Sequence, residues 1–131
     1  MKAHTILAAV AALGLAVPAV AATSDRSTDT TKNCFRAHDW QDWKAPNDKT
    51  ILVRVNQHDV WRIGLAGGER MITNDTNHLI TNFHGGDWIC HPIDLSNMKV
   101  SDGRVTQPLF VNSLTKLTPE QVAAIPQKDR P

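Results

Sequence analysis

The side chains of this 131-residue chain that could carry chemistry are six histidines, two cysteines and four tryptophans. Histidine is the commonest protein ligand for metal ions, so metal binding is the sharpest chemical hypothesis. The spacing predicts that His84 lies opposite Asp87 across a turn and that His78 lies diagonal to His91. Either site needs a third ligand, and the spacing indicates none. The alternative is a charge pair on the solvent side of the turn, and no cofactor is expected.

Four tryptophans without a tyrosine are unusual for a small domain. Trp61 and Trp88 fall on predicted core faces. Trp40 and Trp43 form a candidate binding surface that could stack on a sugar ring or dock a partner, because tryptophan is favoured at binding hot spots. The alternative is that both pack over the N-terminal end of a sheet.

Patterns that indicate catalysis are weaker. Asp39 and Asp42 are three residues apart and could share a helical face as an acid–base pair, but cap and turn roles explain them better. No serine lies in a nucleophile-elbow context. A small enzyme is therefore a further alternative, and we assign no catalytic residue.

Residues 1–22 set the compartment. Lys2 precedes an almost purely apolar run over residues 5–22, which ends in the small residues that a signal peptidase reads. The run contains a glycine and a proline and is shorter than the roughly 20 apolar residues of a transmembrane helix. We expect a signal peptide cleaved after Ala21 or Ala22, no transmembrane anchor afterwards, and a periplasmic or secreted protein.

Removing the leader leaves a neutral chain. Lys2 is one of 14 Lys and Arg, so 13 remain against 13 Asp and Glu. Little self-repulsion then opposes collapse, which favours a folded domain. The basic excess that neutralises phosphates is missing, which argues against nucleic-acid binding.

Export makes a disulfide the expected state of Cys34 and Cys90. Joining them closes a loop of about 57 residues, which the chain-entropy model values at about 4 kcal/mol. The alternative is a nucleophilic Cys34 served by His38.

The first predicted hairpin joins residues 51–55 to residues 60–65, both rich in β-branched side chains. A loop over residues 57–59 brings the two apolar faces together. This loop pairs Val55 with Trp61 and Val53 with Ile63.

A second hairpin is predicted around Gly85-Gly86, which can take the positive φ angles of a tight turn. It pairs residues 79–84 with residues 87–91. The core face would then carry Leu79, Phe83, Trp88 and Cys90.

The C-terminal part of the chain predicts a strand over residues 109–114 and then a helix. Thr118 caps this helix, Pro119 takes its first position and Gln121 closes a capping box. Leu117 can pack on Val122. The resulting organisation is a flexible lead (23–33), a β-rich domain (34–125) and a frayed tail (126–131).

The order of several short motifs resembles a family of small secreted bacterial proteins known only as a domain of unknown function. The resemblance covers about residues 34 to 125 and rests on Cys34-Phe35-Arg36, Asp39, Trp43, Asp48, Thr50, Val60-Trp61-Arg62, Cys90 and Leu117-Thr118-Pro119-Glu120. It implies a compact β-rich envelope protein without an established activity. Family members often carry a further cysteine near the position of Leu109, in which case Cys34 and Cys90 need not be partners.

Together these patterns predict a mainly β domain, a small antiparallel barrel or sandwich of five to six strands with one short C-terminal helix. The preferred function is a non-enzymatic binding or structural module of the cell envelope, with an envelope protein or a small ligand as partner. The alternatives are a metal-binding protein that uses surface His and Asp residues, and a small enzyme.

Overall fold

The computed structural model describes residues 33–83 and 86–131. The predicted signal peptide (1–22), residues 23–32 of the predicted lead, His84 and Gly85 lie outside the described residues. The strands are β1 Phe35–Arg36, β2 Trp40–Asn47, β3 Thr50–Val55, β4 Asp59–Leu65, β5 His78–Ile80, β6 Trp88–Ile89, β7 Lys99–Ser101, β8 Thr106–Pro108 and β9 Val111–Lys116. The helix α1 is Pro119–Ala123, and 3-10 turns span Ala37–Asp39, Arg70–Thr73, Pro92–Leu95 and Gln127–Asp129. In these two described ranges, no helix has the length and apolar character needed to cross a membrane.

The described chain is mainly β, as predicted, with its strands in three antiparallel sheets. One sheet has the order β2-β3-β4-β9, a second has the order β5-β7-β8, and β1 pairs with β6. The nine strands exceed the predicted five or six because β1 and β5 to β8 are only two or three residues long. Strands this short leave no alternating pattern in the sequence.

The hairpin of β3 and β4 forms the main core, and its predicted inward face is confirmed. The buried side chains of this face are Ile51, Val53, Val55, Trp61, Ile63 and Leu65. The predicted register is wrong by two residues, since Val53 pairs with Trp61 and Val55 with Asp59. Asn56 takes a left-handed φ of 56° and begins the turn one residue earlier than predicted. Asparagine adopts this conformation more readily than most residues.

The opposite face of the same sheet carries a second, smaller cluster. Leu52, Val60 and Leu117 are buried there, and Val122 and Ile125 pack against them. The helix α1 therefore covers this face, while the other two sheets cover the main core. The four-stranded sheet is apolar on both sides, which explains the continuous apolar run at the start of β3.

The second predicted hairpin is not formed. β5 pairs with β7, so Leu79 lies opposite Val100, and β6 pairs with β1, so Phe35 lies opposite Ile89. The predicted core face is wrong for Trp88, whose side chain is 47% exposed, whereas Ile89 is 1% exposed. Pairing with β1 turns Ile89 inward, and alternation along a strand then turns Trp88 outward.

The C-terminal segment confirms its predicted helix start. Thr118 Oγ1 accepts from the Gln121 backbone N–H, and the Gln121 side chain accepts from the Thr118 N–H. The preceding strand begins at Val111 rather than residue 109, because Leu109 turns into the core and is 2% exposed.

The tail over residues 126–131, which the sequence predicts to fray, makes hydrogen bonds to the end of α1 and to β3. Arg130 donates through Nη2 to the Ala123 carbonyl at 2.9 Å and through Nε to the Ile125 carbonyl at 3.0 Å. Arg54 Nη1 donates to the Pro131 carbonyl at 3.3 Å. Arg130 therefore donates to carbonyls that the end of a helix leaves without partners. These hydrogen bonds hold the tail against α1.

A carboxylate contributes two of the hydrogen bonds that hold the turn between β7 and β8. Asp102 Oδ1 accepts from the backbone N–H of Val105 at 2.7 Å and of Arg104 at 2.8 Å. Hydrogen bonds to a carboxylate stabilise its ionised form. The backbone N–H groups of Val105, the larger contributor, and of Arg104 therefore lower the pKa of Asp102. Gly103 in the same turn has a φ of 88°, a left-handed value that favours glycine.

This turn predicts a pH-dependent stability. Because the pKa of Asp102 is lower in the folded state, its ionisation stabilises the fold above the unfolded-state pKa, and this contribution is lost as the pH falls through the folded-state pKa. Asp102→Asn keeps an acceptor but cannot titrate. We expect the stability advantage of the wild type over this variant to shrink as the pH falls through the acid range, measured by thermal unfolding. Parallel stability curves across that range would contradict the assignment.

The disulfide between Cys34 and Cys90 joins residues 56 apart in sequence and predicts a large effect on stability. Changing both cysteines to serine should lower the free energy of unfolding by about 4 kcal/mol, because the unfolded chain regains the freedom of the open loop. Urea unfolding measures this loss, and the reduced wild type should show the same loss. A doubly substituted protein as stable as the oxidised wild type would contradict the prediction.

Candidate functional site: an aromatic cleft between two sheet edges

Trp40 and Trp43 lie on β2 and share its inward side, although they are three residues apart. In a regular strand an odd spacing places two side chains on opposite faces. Here Trp40 pairs with Val55 and Trp43 with Val53, and the register shifts between Trp40 and Asp42. This β-bulge inserts one extra residue and turns both tryptophans towards the main core. Both are half-buried and pack against it.

The two tryptophans form one wall of an open cleft of about 240 Å³, which we call the aromatic cleft. Its other lining residues are Ala37, Leu79, Thr81 and Phe83. β2 and β5 are edge strands of two different sheets, so the cleft lies along the seam between those sheets. A surface that exposes half-buried aromatic rings on both walls can bind a flat apolar group by stacking and packing.

The disulfide and Phe35 support the cleft from below. Cys34 and Cys90 are bonded, with their Cα atoms 4.2 Å apart, and the Ala37 N–H donates to the Asp87 carbonyl at 2.7 Å. Phe35 is 4% exposed, and its ring centre lies 6.3 Å from that of Trp40. The segment that carries Ala37 and Phe35 is therefore anchored at both ends of β1.

The described side chains that line the aromatic cleft are uncharged. None of the described residues that line it carries a titratable side chain. Nearby charges on and beside β2 are paired, since Asp42 lies 3.8 Å from Arg54 and Lys44 lies 3.0 Å from Asp75. The His38 ring lies 3.5 Å from Asp39. The described lining of the cleft therefore offers apolar rings and the Thr81 hydroxyl, and includes no acid or base group of the kind that proton transfer needs.

The residues predicted as metal ligands are placed differently from the sequence expectation. His84 lies outside the described residues. His78 is on β5 opposite Ser101. His91 is the N-cap residue before the 3-10 turn Pro92–Leu95, and its ring lies 3.8 Å from Asp94. Because the predicted hairpin is not formed, His78 is not diagonal to His91. Within residues 33–83 and 86–131, no three His, Cys, Asp or Glu side chains are grouped as ligands for one ion.

The sequence predicted one wall of the cleft and missed the other. Leu79, Thr81 and Phe83 alternate at a spacing of two, which is the pattern of side chains on one face of an extended segment. In the sequence this alternation predicts a hairpin with residues 87–91, whereas β5 pairs with β7 and β6 with β1. Trp40 and Trp43 share one face of β2 only because of the β-bulge between them. No residue type in the sequence indicates this bulge.

The cysteines are fully accounted for, since the chain has two and both are in the disulfide. The alternative of a nucleophilic Cys34 served by His38 is therefore excluded for the oxidised protein.

The exposure of the tryptophans predicts their accessibility to acrylamide. Trp88 is 47% exposed, with the Arg36 guanidinium 4.8 Å from the ring centre, whereas Trp61 is 3% exposed. Trp88→Phe should remove a large part of the quenchable emission. The matched variant Trp61→Phe should remove shielded emission and so raise the quenchable fraction. Fluorescence quenching measures both, and equal quenching of the two variants would contradict this placement.

Comparison with known proteins returned no match. No protein-family model, no curated protein and no solved structure matches the chain. Evidence for function therefore comes from the sequence and the contacts of this chain.

Proposed function

We propose that the protein is an exported, non-enzymatic binding module of the cell envelope and that the aromatic cleft is its recognition site. The observation that carries this proposal is the convergence of Trp40 and Trp43 with Phe83 on one open cleft. A domain that only needed to fold would gain stability by closing this seam, because each square ångström of buried apolar surface contributes about 25 cal/mol. An open seam lined by aromatic rings is instead typical of a ligand site.

The size of the cleft limits what it can hold. Sites for complete small molecules have volumes of roughly 300–1,000 Å³, and the aromatic cleft has about 240 Å³. It is suited to one ring or one side chain that anchors a larger ligand. A sugar ring that stacks on tryptophan and an apolar side chain of a partner protein both meet this requirement.

The disulfide supports the proposed compartment. Structural disulfides persist in oxidising surroundings and are rare in the cytosol, so the bond between Cys34 and Cys90 is compatible with an extracellular or periplasmic site of action. The resemblance to small envelope proteins points to the same compartment. As part of this proposal we infer that the fold is a partly open sandwich, supported by the contribution of all three sheets to one main core.

Binding is preferred to the two alternative functions on the basis of the contacts. A small enzyme needs converging acid, base or nucleophilic groups, and the described lining of the cleft has none that titrate. A metal-binding protein needs at least three ligands near one point, and no described contact favours such a site.

The proposal predicts that filling the cleft abolishes binding. Thr81 is half-buried in the cleft wall, and Thr81→Trp places a bulky ring in the space between the two walls without removing a core side chain. The labelled exported protein should bind members of a glycan array or a peptide array. Thr81→Trp should weaken that binding at least tenfold, a ratio that corresponds to about 1.4 kcal/mol.

The matched control is Thr115→Trp, which places the same ring on an exposed position of β9 away from the cleft. This variant should bind as the wild type does. Equal binding by the Thr81→Trp variant and the wild type, or no binding by the wild type on either array, would refute the proposed function.

A further inference from the structure

A second opening lies on the opposite face of the four-stranded sheet, between β9, the turn before β4 and the C-terminal segment. Its volume is about 550 Å³, which falls within the roughly 300–1,000 Å³ of small-molecule sites. Its floor is apolar and is formed by Leu117, Pro119, Val122 and Ala123. We call this opening the C-terminal groove. It is separated from the aromatic cleft by the sheet itself, since Leu117 and Val122 belong to the second cluster and not to the main core.

The rim of the C-terminal groove is charged. His58, Asp59, Lys116 and Arg130 line it. Lys116 Nζ donates to Asp59 Oδ2 at 2.8 Å, so these two charges compensate each other. Among the Lys, Arg, Asp and Glu side chains of the rim, the charge left after this compensation is the single positive charge of Arg130.

Arg130 is held in place without being neutralised. Its Nε and Nη2 atoms donate to the carbonyls of Ile125 and Ala123, which are uncharged groups. Among the described residues it forms no ion pair with a carboxylate. The guanidinium is thus fixed at the edge of an apolar floor by neutral partners, and its charge remains available to a ligand. An arginine positioned in advance loses little side-chain freedom when it binds an anion.

We propose that the C-terminal groove binds an amphipathic monoanion, that is, a small apolar acid whose hydrocarbon or ring lies on the floor while its single anionic group contacts Arg130. The apolar floor favours an anion with an apolar body over a purely polar anion such as inorganic phosphate, because only the former gains apolar contacts there. The net positive rim favours an anion over a cation. The floor and the charge together therefore specify the ligand class.

The probe for this site is 1-anilinonaphthalene-8-sulfonate, whose aromatic rings carry one sulfonate. Its matched neutral probe is N-phenyl-1-naphthylamine, which has the same rings without the charge. With the full exported chain in its folded, oxidised form, the sulfonate probe should show saturable fluorescence enhancement, and the filling variants distinguish binding in the groove from binding in the aromatic cleft. The neutral probe should bind more weakly, because it gains only the apolar contacts.

Two substitutions of Arg130 separate its charge from its structural role. Arg130→Gln should weaken binding of the sulfonate probe about tenfold, in line with the typical energy of a hydrogen bond to a charged group, and should leave the neutral probe unchanged. Arg130→Lys keeps the charge but loses the two-carbonyl geometry, and should bind the sulfonate probe within about threefold of the wild type. Lys128→Gln removes an equal charge from an exposed residue of the same tail that does not line the groove, and should change neither probe.

Two filling variants locate the probe. Ala123→Trp should block both probes, whereas Thr81→Trp, which fills the aromatic cleft, should block neither. The proposal is overturned if the wild type shows no saturable binding, if the Arg130→Gln variant binds the sulfonate probe as the wild type does, or if Thr81→Trp rather than Ala123→Trp abolishes the signal. Circular dichroism of each variant excludes loss of fold as the cause, and these outcomes do not depend on the ligand of the aromatic cleft.

Discussion

The covalent link between Cys34 and Cys90 is the constraint on which the arrangement of the three sheets depends. It holds β1 against β6, so that Phe35 lies opposite Ile89 and both side chains enter the main core. Phe35 then contacts Trp61 at a ring-centre distance of 5.0 Å. Two strands of two residues each could not sustain this pairing alone, since even a full hairpin is marginally stable in water. The bond makes a very short strand pair a fixed part of the fold.

The parts of the fold that could be predicted from the sequence are those that depend on local signals. The inward face of β3 and β4 follows from the alternation of apolar residues, which is a local signal. The capped start of α1 follows from two residues three positions apart, which is also local. The two-glycine turn is also a local signal, but the segments on either side of it pair with strands that are far away in the sequence. Once β6 pairs with β1, Ile89 is buried and Trp88 is turned out, and no short-range pattern can report that. The turn at Asn56 shows a milder case, in which the faces were right and only the register moved.

The candidate site was predictable to a similar degree. Tryptophan content singled out Trp40 and Trp43, but their odd spacing gave no reason to place them on one face. The β-bulge that does so is a property of the pairing with β3, where Trp40 meets Val55 and Trp43 meets Val53. The second wall comes from a different sheet, so the cleft exists only after tertiary assembly. A sequence reveals which side chains can bind, while the partner strands decide which of them meet.

The two openings of this domain depend on different kinds of interaction. The aromatic cleft is formed by segments that long-range pairing and the disulfide bring together, so its width follows the packing of one sheet edge against another. The C-terminal groove is formed by contiguous residues, from the end of β9 through the capping box of α1 to Arg130, together with the adjacent turn at His58 and Asp59. Its geometry is fixed by hydrogen bonds within that segment, such as that from Arg130 to the Ala123 carbonyl, and by the ion pair between Lys116 and Asp59. The four-stranded sheet between them is packed with apolar side chains on both faces, and close-packed interiors resist small displacements. The cleft and the groove share no lining residue, so a change that widens the cleft acts on residues that do not line the groove.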